Sequence, residues 1–107
     1  MFNVEVFATD EGRMPFAEWV ESLRDNQARA QIVVRLNRVR MGNLGDHHAV
    51  GQGVSELRIA HGPGYRVYFG RRGNTLVIIL CGGDKSSQAR DIALAQEYWK
   101  DYLRRTI

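Results

Sequence analysis

Residues 54–81 read VSELRIAHGPGYRVYFGRRGNTLVIILC and contain three extended runs separated by two short turns. Over 54–61 and 65–71, apolar and polar side chains alternate, a pattern typical of β-strands. Gly62-Pro63-Gly64 joins these runs in a tight turn, and Arg72-Gly73-Asn74 predicts a second hairpin into 75–81. Because that last run is apolar at successive positions, we expect it to be covered on both faces.

The residues before this segment predict a strand and two helices. Phe2, Val4 and Val6 alternate in a strand over 2–8. An amphipathic helix then runs from Pro15 to about residue 25, and a second helix covers 27–41. The second helix has an apolar stripe at Ala28, Ile32, Leu36 and Val39.

Two glycine-rich segments complete the prediction. Residues 42–53 are expected to form a mobile loop, and Gly82-Gly83-Asp84 is expected to end the last strand. A closing helix begins near residue 86. The predicted fold is therefore α+β within one domain over 1–107, in the order strand, two-helix hairpin, three antiparallel strands and C-terminal helix, with one curved antiparallel sheet.

The composition suits a small globular protein with a basic middle. The 107 residues are 44% hydrophobic and 25% charged, and the net charge is +3. Eight arginines and two acids over 26–72 give that segment a net charge of +6, which favours a polyanionic or acidic partner. A single cysteine, Cys81, predicts no internal disulfide, and no run suggests a membrane span or a secretory signal, so we expect a cytoplasmic protein.

Strand alternation predicts which polar side chains share a face. Glu56 and Arg58 point to one side of their strand, and Arg66 and Tyr68 point to the same side of the next. Lys85 follows the glycine pair and can reach over the end of this face. The pattern indicates an open polar face, for which cross-strand ion pairs between Glu56 and an arginine are one structural explanation.

Several motifs in this order resemble the RelE/ParE toxin superfamily, and more narrowly its HigB-like, phage Gp49-like branch of addiction-module killer proteins. The motifs are Glu56-Leu57-Arg58-Ile59, Gly62-Pro63-Gly64-Tyr65-Arg66-Val67-Tyr68-Phe69 and Gly82-Gly83-Asp84-Lys85-Ser86-Ser87-Gln88 with Asp91-Ile92, together with Phe16-Ala17-Glu18-Trp19 and Leu23-Arg24-Asp25. The resemblance implies a RelE-like fold and the toxin of a type II toxin–antitoxin system. Such a toxin would inhibit translation by metal-independent, ribosome-dependent mRNA cleavage. Two alternatives on the same fold are a ParE-like inhibitor of DNA gyrase and an inactive phage-derived homologue.

The resemblance also implies functional residues and partners. Arg58, Arg66 and Lys85 correspond to the basic residues that surround the scissile phosphate in the nucleases of the superfamily. Candidates for the acid and base are Tyr68 and His61, with His47 or His48 as further candidates, and the expected RNA-binding residues are Arg35, Arg38, Arg71 and Arg72. No metal or other cofactor is implied. The implied partners are a cognate antitoxin with a helix-turn-helix, HigA-like fold, and the ribosome with its mRNA.

Overall fold

The computed structural model describes residues 1–106, which form one five-stranded sheet with helices on both faces. The elements are β1 (Asn3–Val6), α1 (Pro15–Ser22), α2 (Asn26–Arg40), β2 (His47–Gly51), β3 (Val54–Ile59), β4 (Tyr65–Arg72), β5 (Leu76–Asp84), a short 3-10 turn (Lys85–Ser87) and α3 (Gln88–Arg105). This architecture confirms the α+β fold class and its closing helix.

The strand order across the sheet is β1-β5-β4-β3-β2. The four strands from β2 to β5 pair in antiparallel fashion, whereas β1 pairs in parallel with β5. The prediction of a wholly antiparallel sheet is therefore wrong at this edge. The two helices that follow β1 carry the chain across the sheet to β2, so that β1 lies beside the last strand and not beside its successor.

Residues 42–53 contain a strand that the sequence did not predict. β2 forms the edge of the sheet and pairs with β3, with His48 opposite Glu56. Four of its five residues are exposed. Because both faces of β2 are mostly solvated, it lacks the apolar alternation that identifies a half-buried strand.

The helical hairpin α1–α2 covers one face of the sheet. Asp25 caps the start of α2 by accepting hydrogen bonds from the backbone N–H groups of Gln27 and Ala28. The predicted stripe of α2 is confirmed, since all four of its residues are buried in a core shared with β3, β4 and β5. The opposite face carries a second core, which is formed by Trp99 of α3 together with buried residues of β3, β4 and β5.

The glycine pair Gly82-Gly83 lies inside β5, and the predicted break is therefore wrong. A Cβ on Gly82 would lie 2.2 Å from the Trp19 ring, and one on Gly83 would lie 1.8 Å from a carboxylate oxygen of Asp91. The two glycines thus let a helix side chain approach the strand closely from each face. β5 is consequently covered on both sides, as predicted, and it extends to Asp84.

None of the helices within residues 1–106 is both long enough and apolar enough to cross a membrane.

Candidate functional site

Strand register brings the predicted polar side chains together on the face that α3 covers. Arg58 is paired with Arg66, and Glu56 with Tyr68, across β3 and β4. The prediction that this face is open is wrong. The Glu56 side chain is only 2% exposed and that of Arg66 10%, whereas Arg58 remains 42% exposed. Alternation along a strand specifies the face of a side chain but not what later covers it.

Glu56 lies at the centre of a buried polar cluster. Gln88, the first residue of α3, donates from Nε2 to both carboxylate oxygens of Glu56, at 3.1 and 3.2 Å. An Nη of Arg58 and the Nε of Arg66 each lie 3.4 Å from a carboxylate oxygen. Glu56 therefore neutralises part of the charge of the two arginines and holds them beside each other.

Arg66 and Lys85 meet at Gly64. The Arg66 guanidinium donates to the backbone carbonyl of Gly64 at 2.7 Å. A Cβ on Gly64 would lie 2.9 Å from that guanidinium and 3.6 Å from the Cβ of Lys85. We call Arg58, Arg66 and Lys85 the arginine–lysine site, because they converge on one end of the sheet.

The 3-10 turn at Lys85 is fixed by a cap. Asp84 accepts hydrogen bonds from the backbone N–H and the hydroxyl of Ser86. The hydroxyl bond from Ser86 is the main reason why the pKa of the Asp84 carboxyl is lowered. Lys85 itself is exposed and forms no ion pair with any residue of 1–106. The turn thus fixes the backbone of Lys85 at this end of the sheet, and its exposed side chain is free to contact a ligand.

Tyr68 is completely buried beneath the arginine–lysine site. Its hydroxyl has no hydrogen-bond partner within the described chain. Burial, and secondly the charge of Glu56, raise the pKa of the Tyr68 hydroxyl. The phenol is accordingly kept protonated and out of contact with solvent.

The His61 side chain points away from the arginine–lysine site, although its backbone carbonyl accepts from the N–H of Gly64. Its Nε2 lies 2.9 Å from a carboxylate oxygen of Asp25, and its ring stacks on Tyr65 with a centroid separation of 6.3 Å. Both partners belong to the side of the sheet that α1 and α2 cover. Of the two residues predicted as acid or base, the structure therefore brings only Tyr68 near the arginines, and it buries that one.

The expected RNA-binding arginines do not join the site either. Arg35 donates to the backbone carbonyls of Leu44, Asp46 and Arg58, so its guanidinium serves to anchor the start of β2 on β3. Arg72 is six residues from Arg66 along β4, which corresponds to about 20 Å in an extended strand. Of the other two arginines, Arg71 lies over the Phe2 ring and Arg38 is exposed in the last turn of α2.

Residues 18–100 match the family described as Phage derived protein Gp49-like (DUF891). The chain belongs to this family. The Gp49-like family is part of the RelE toxin-like superfamily, so the predicted resemblance is confirmed for the superfamily and for the Gp49-like family. A Haemophilus influenzae protein described as uncharacterized is 46% identical over 83 residues, which are 78% of this chain and 84% of the relative.

The matched region of this Gp49-like chain contains the whole arginine–lysine site and also Gln88, for which the sequence alone predicted no role. The residues just before Gln88 nevertheless contain a motif that indicates where the last helix begins. Asp84 and Ser87 form a capping box at the start of the 3-10 turn, in which each side chain forms a hydrogen bond with the other's backbone, and α3 continues directly from this turn at Gln88. A helix that begins there places its first side chain directly over the neighbouring strands.

Proposed function

We propose that this Gp49-like chain is a HigB-like toxin of a type II toxin–antitoxin system, which inhibits translation by cutting mRNA on the ribosome. The observation that supports this function is the convergence of Arg58, Arg66 and Lys85 on one end of the sheet. When the 2′-hydroxyl of RNA attacks the adjacent phosphorus, negative charge accumulates on the phosphate oxygens. Fixed cationic donors stabilise that charge more in the transition state than in the ground state.

The three cations differ in mobility, and the difference suits the reaction. Arg66 is buried and held by Glu56 and by the carbonyl of Gly64. The Arg66 side chain is therefore already oriented, and it loses little conformational entropy when the phosphate binds. Arg58 and Lys85 are more exposed and can contact the phosphate oxygens from the solvent side. A guanidinium can do so with two parallel hydrogen bonds.

The proposed function is tested by a short induction of the protein, after which new 5′ ends on cellular mRNA are mapped and plasmid supercoiling is scored in parallel. We expect new ends within translated frames and normal supercoiling. The informative variant is Lys85→Ala, because Lys85 is exposed and its removal should leave the fold intact. Lys100→Ala is the matched control, since Lys100 is an exposed lysine on α3 that pairs with Glu97.

We expect Lys85→Ala to abolish most new ends and Lys100→Ala to retain them. Equal cleavage by both variants would contradict the assignment of Lys85 to the site. Intact messages together with altered supercoiling would contradict the nuclease function itself and would favour the ParE-like inhibition of gyrase.

We further propose a cognate antitoxin as the partner, of the helix-turn-helix, HigA-like class. An acidic segment of that protein would cover Arg58 and Lys85, whose exposed charges would attract it. Because exposed ion pairs are screened by salt, the affinity should fall as ionic strength increases. Titration of the purified partner at 50 and 500 mM NaCl measures this dependence; an affinity that does not change with salt would contradict an acidic interface.

A further inference from the structure

His48 lies on the same face of the sheet as the arginine–lysine site. It pairs with Glu56 across β2 and β3, and directly opposed side chains of two strands point to the same side. Val54, two residues from Glu56 along β3, belongs to the core beneath α3, which identifies the side to which Glu56 and His48 point. Arg58 is the diagonal neighbour of His48, and such neighbours have Cβ atoms about 7 Å apart. A ribose and its phosphate can therefore be placed between the imidazole and the guanidinium.

Asp46 orients the imidazole. The Nε2 of His48 donates to a carboxylate oxygen of Asp46 at 2.9 Å. This bond favours the tautomer in which Nδ1 carries no proton and can accept one. Asp46 is itself held in place, because its backbone carbonyl accepts from the Arg58 N–H at 3.1 Å and from the Arg35 guanidinium at 2.6 Å.

We propose that His48 is the general base of the cleavage reaction and that Asp46 is its positioning residue, an assignment that rests on the proposed function. His48 Nδ1 removes the proton of the ribose 2′-hydroxyl, and the 2′-oxygen forms a bond to phosphorus. The bond from phosphorus to the 5′-oxygen breaks, and that oxygen takes a proton from water. The products are a 2′,3′-cyclic phosphate and a 5′-hydroxyl end, and His48 returns its proton to solvent.

The neighbouring histidine provides a matched control. His47 pairs with Leu57, whose side chain belongs to the core under α1 and α2, so His47 points to the opposite face. Both histidines are exposed, and a substitution at either should leave the fold intact. His47→Ala and His48→Ala thus remove the same side chain from the two faces of one strand.

The experiment measures the single-turnover rate of mRNA cleavage by the full chain on purified 70S ribosomes, with binding measured separately by co-sedimentation. We expect His48→Ala to slow cleavage by about 10² to 10⁴, the usual contribution of a general base, with ribosome binding unchanged. His47→Ala should cleave at close to the wild-type rate, because no contact to the reacting atoms is lost. Free imidazole should partly restore the rate of His48→Ala, because the site is open to solvent. Asp46→Asn should lower the single-turnover rate on saturating ribosomes without weakening ribosome binding; an unchanged rate would contradict its positioning role.

Any other outcome would overturn either the role of His48 or the nuclease function as well. Wild-type cleavage by His48→Ala would overturn the assignment while the nuclease function stands. Equal losses in the two histidine variants, or no rescue by imidazole, would show that His48 acts only through structure. If the wild-type chain does not cleave ribosome-bound mRNA, the proposed function fails and the assignment of His48 fails with it.

Discussion

Replacing Glu56 by glutamine tests whether a buried carboxylate organises the site. Glu56→Gln keeps the shape of the side chain but removes the charge that faces Arg58 and Arg66. The variant also loses one of the two hydrogen bonds that Gln88 donates. Its own amide N–H₂ group then faces the donors of Gln88 and the arginines. The variant therefore isolates the electrostatic contribution of Glu56 from its packing.

The expected loss of stability follows from the exposure of the partners. Removing one member of a buried ion pair costs about 3 to 5 kcal/mol, because the other charge stays buried without compensation. Arg66 is in that position, but Arg58 is 42% exposed and can be hydrated instead. We therefore expect a loss of about 3 kcal/mol in the free energy of unfolding. For a domain of this size, Tm should fall by roughly 12 °C.

Thermal unfolding followed by far-ultraviolet circular dichroism measures this loss. Glu97→Gln is the control, since the Glu97 side chain is 72% exposed and its pair with Lys100 should contribute less than about 1 kcal/mol. The deficit of Glu56→Gln should persist in 1 M salt, because buried charges are screened only weakly. A Tm change no larger than that of the control would refute the interpretation of Glu56 as the charge that holds the arginines.

Three further predictions concern packing, a buried hydroxyl and pH. Gly82→Ala should lower stability by about 1 to 3 kcal/mol in urea denaturation, because the new methyl group would overlap the Trp19 ring; an unchanged midpoint would contradict the close approach. Tyr68→Phe should fold with equal or greater stability and keep growth arrest, since it removes a buried hydroxyl that has no partner; loss of arrest in the folded variant would show that the hydroxyl contacts substrate. The hydrogen bond from His61 is the main reason why the pKa of the Asp25 carboxyl is lowered. The stabilisation by this carboxylate is present above the unfolded-state pKa of about 3.9 and is lost as pH falls through the lower folded pKa. Asp25→Asn should therefore flatten the acid limb of a plot of stability against pH. An acid limb identical to that of the wild type would contradict this prediction.

The parts of the fold that bury one side of an element were predictable from the sequence. The stripe of α2 and the alternation of β3 and β4 depend only on helix and strand periodicity, and the structure confirms both. β2 was not predictable in this way, because four of its five residues are exposed and its sequence shows no apolar alternation. The extension of β5 through Gly82-Gly83 was also hidden, since it depends on helix side chains that approach from elsewhere in the chain.

The site was predictable only as far as strand faces specify it. Alternation correctly grouped Glu56, Arg58, Arg66 and Tyr68 on one side. The burial of Tyr68 and the contact of Glu56 with Gln88 depend on where α3 begins to cross the sheet, and no local pattern in the strands encodes that. The choice between His47 and His48 likewise required the pairing of β2, a strand whose existence the sequence did not indicate.

The charge distribution separates the proposed cleavage site from the charges that would attract RNA. Three carboxylates at the same end of the sheet, Glu56, Asp84 and Asp91, offset part of the charge of the arginine–lysine site, although Asp91 is also paired with Arg90. The positive charge at this end is therefore reduced at long range, although its cations are well placed for a phosphate or a carboxylate already in contact. Arg71 and Arg72 lie at the other end of β4 and form no ion pair with a carboxylate of residues 1–106. Since only uncompensated charge attracts a distant polyanion, the salt dependence of ribosome binding should report chiefly on that far end, whereas substitutions at the site should change the rate of cleavage.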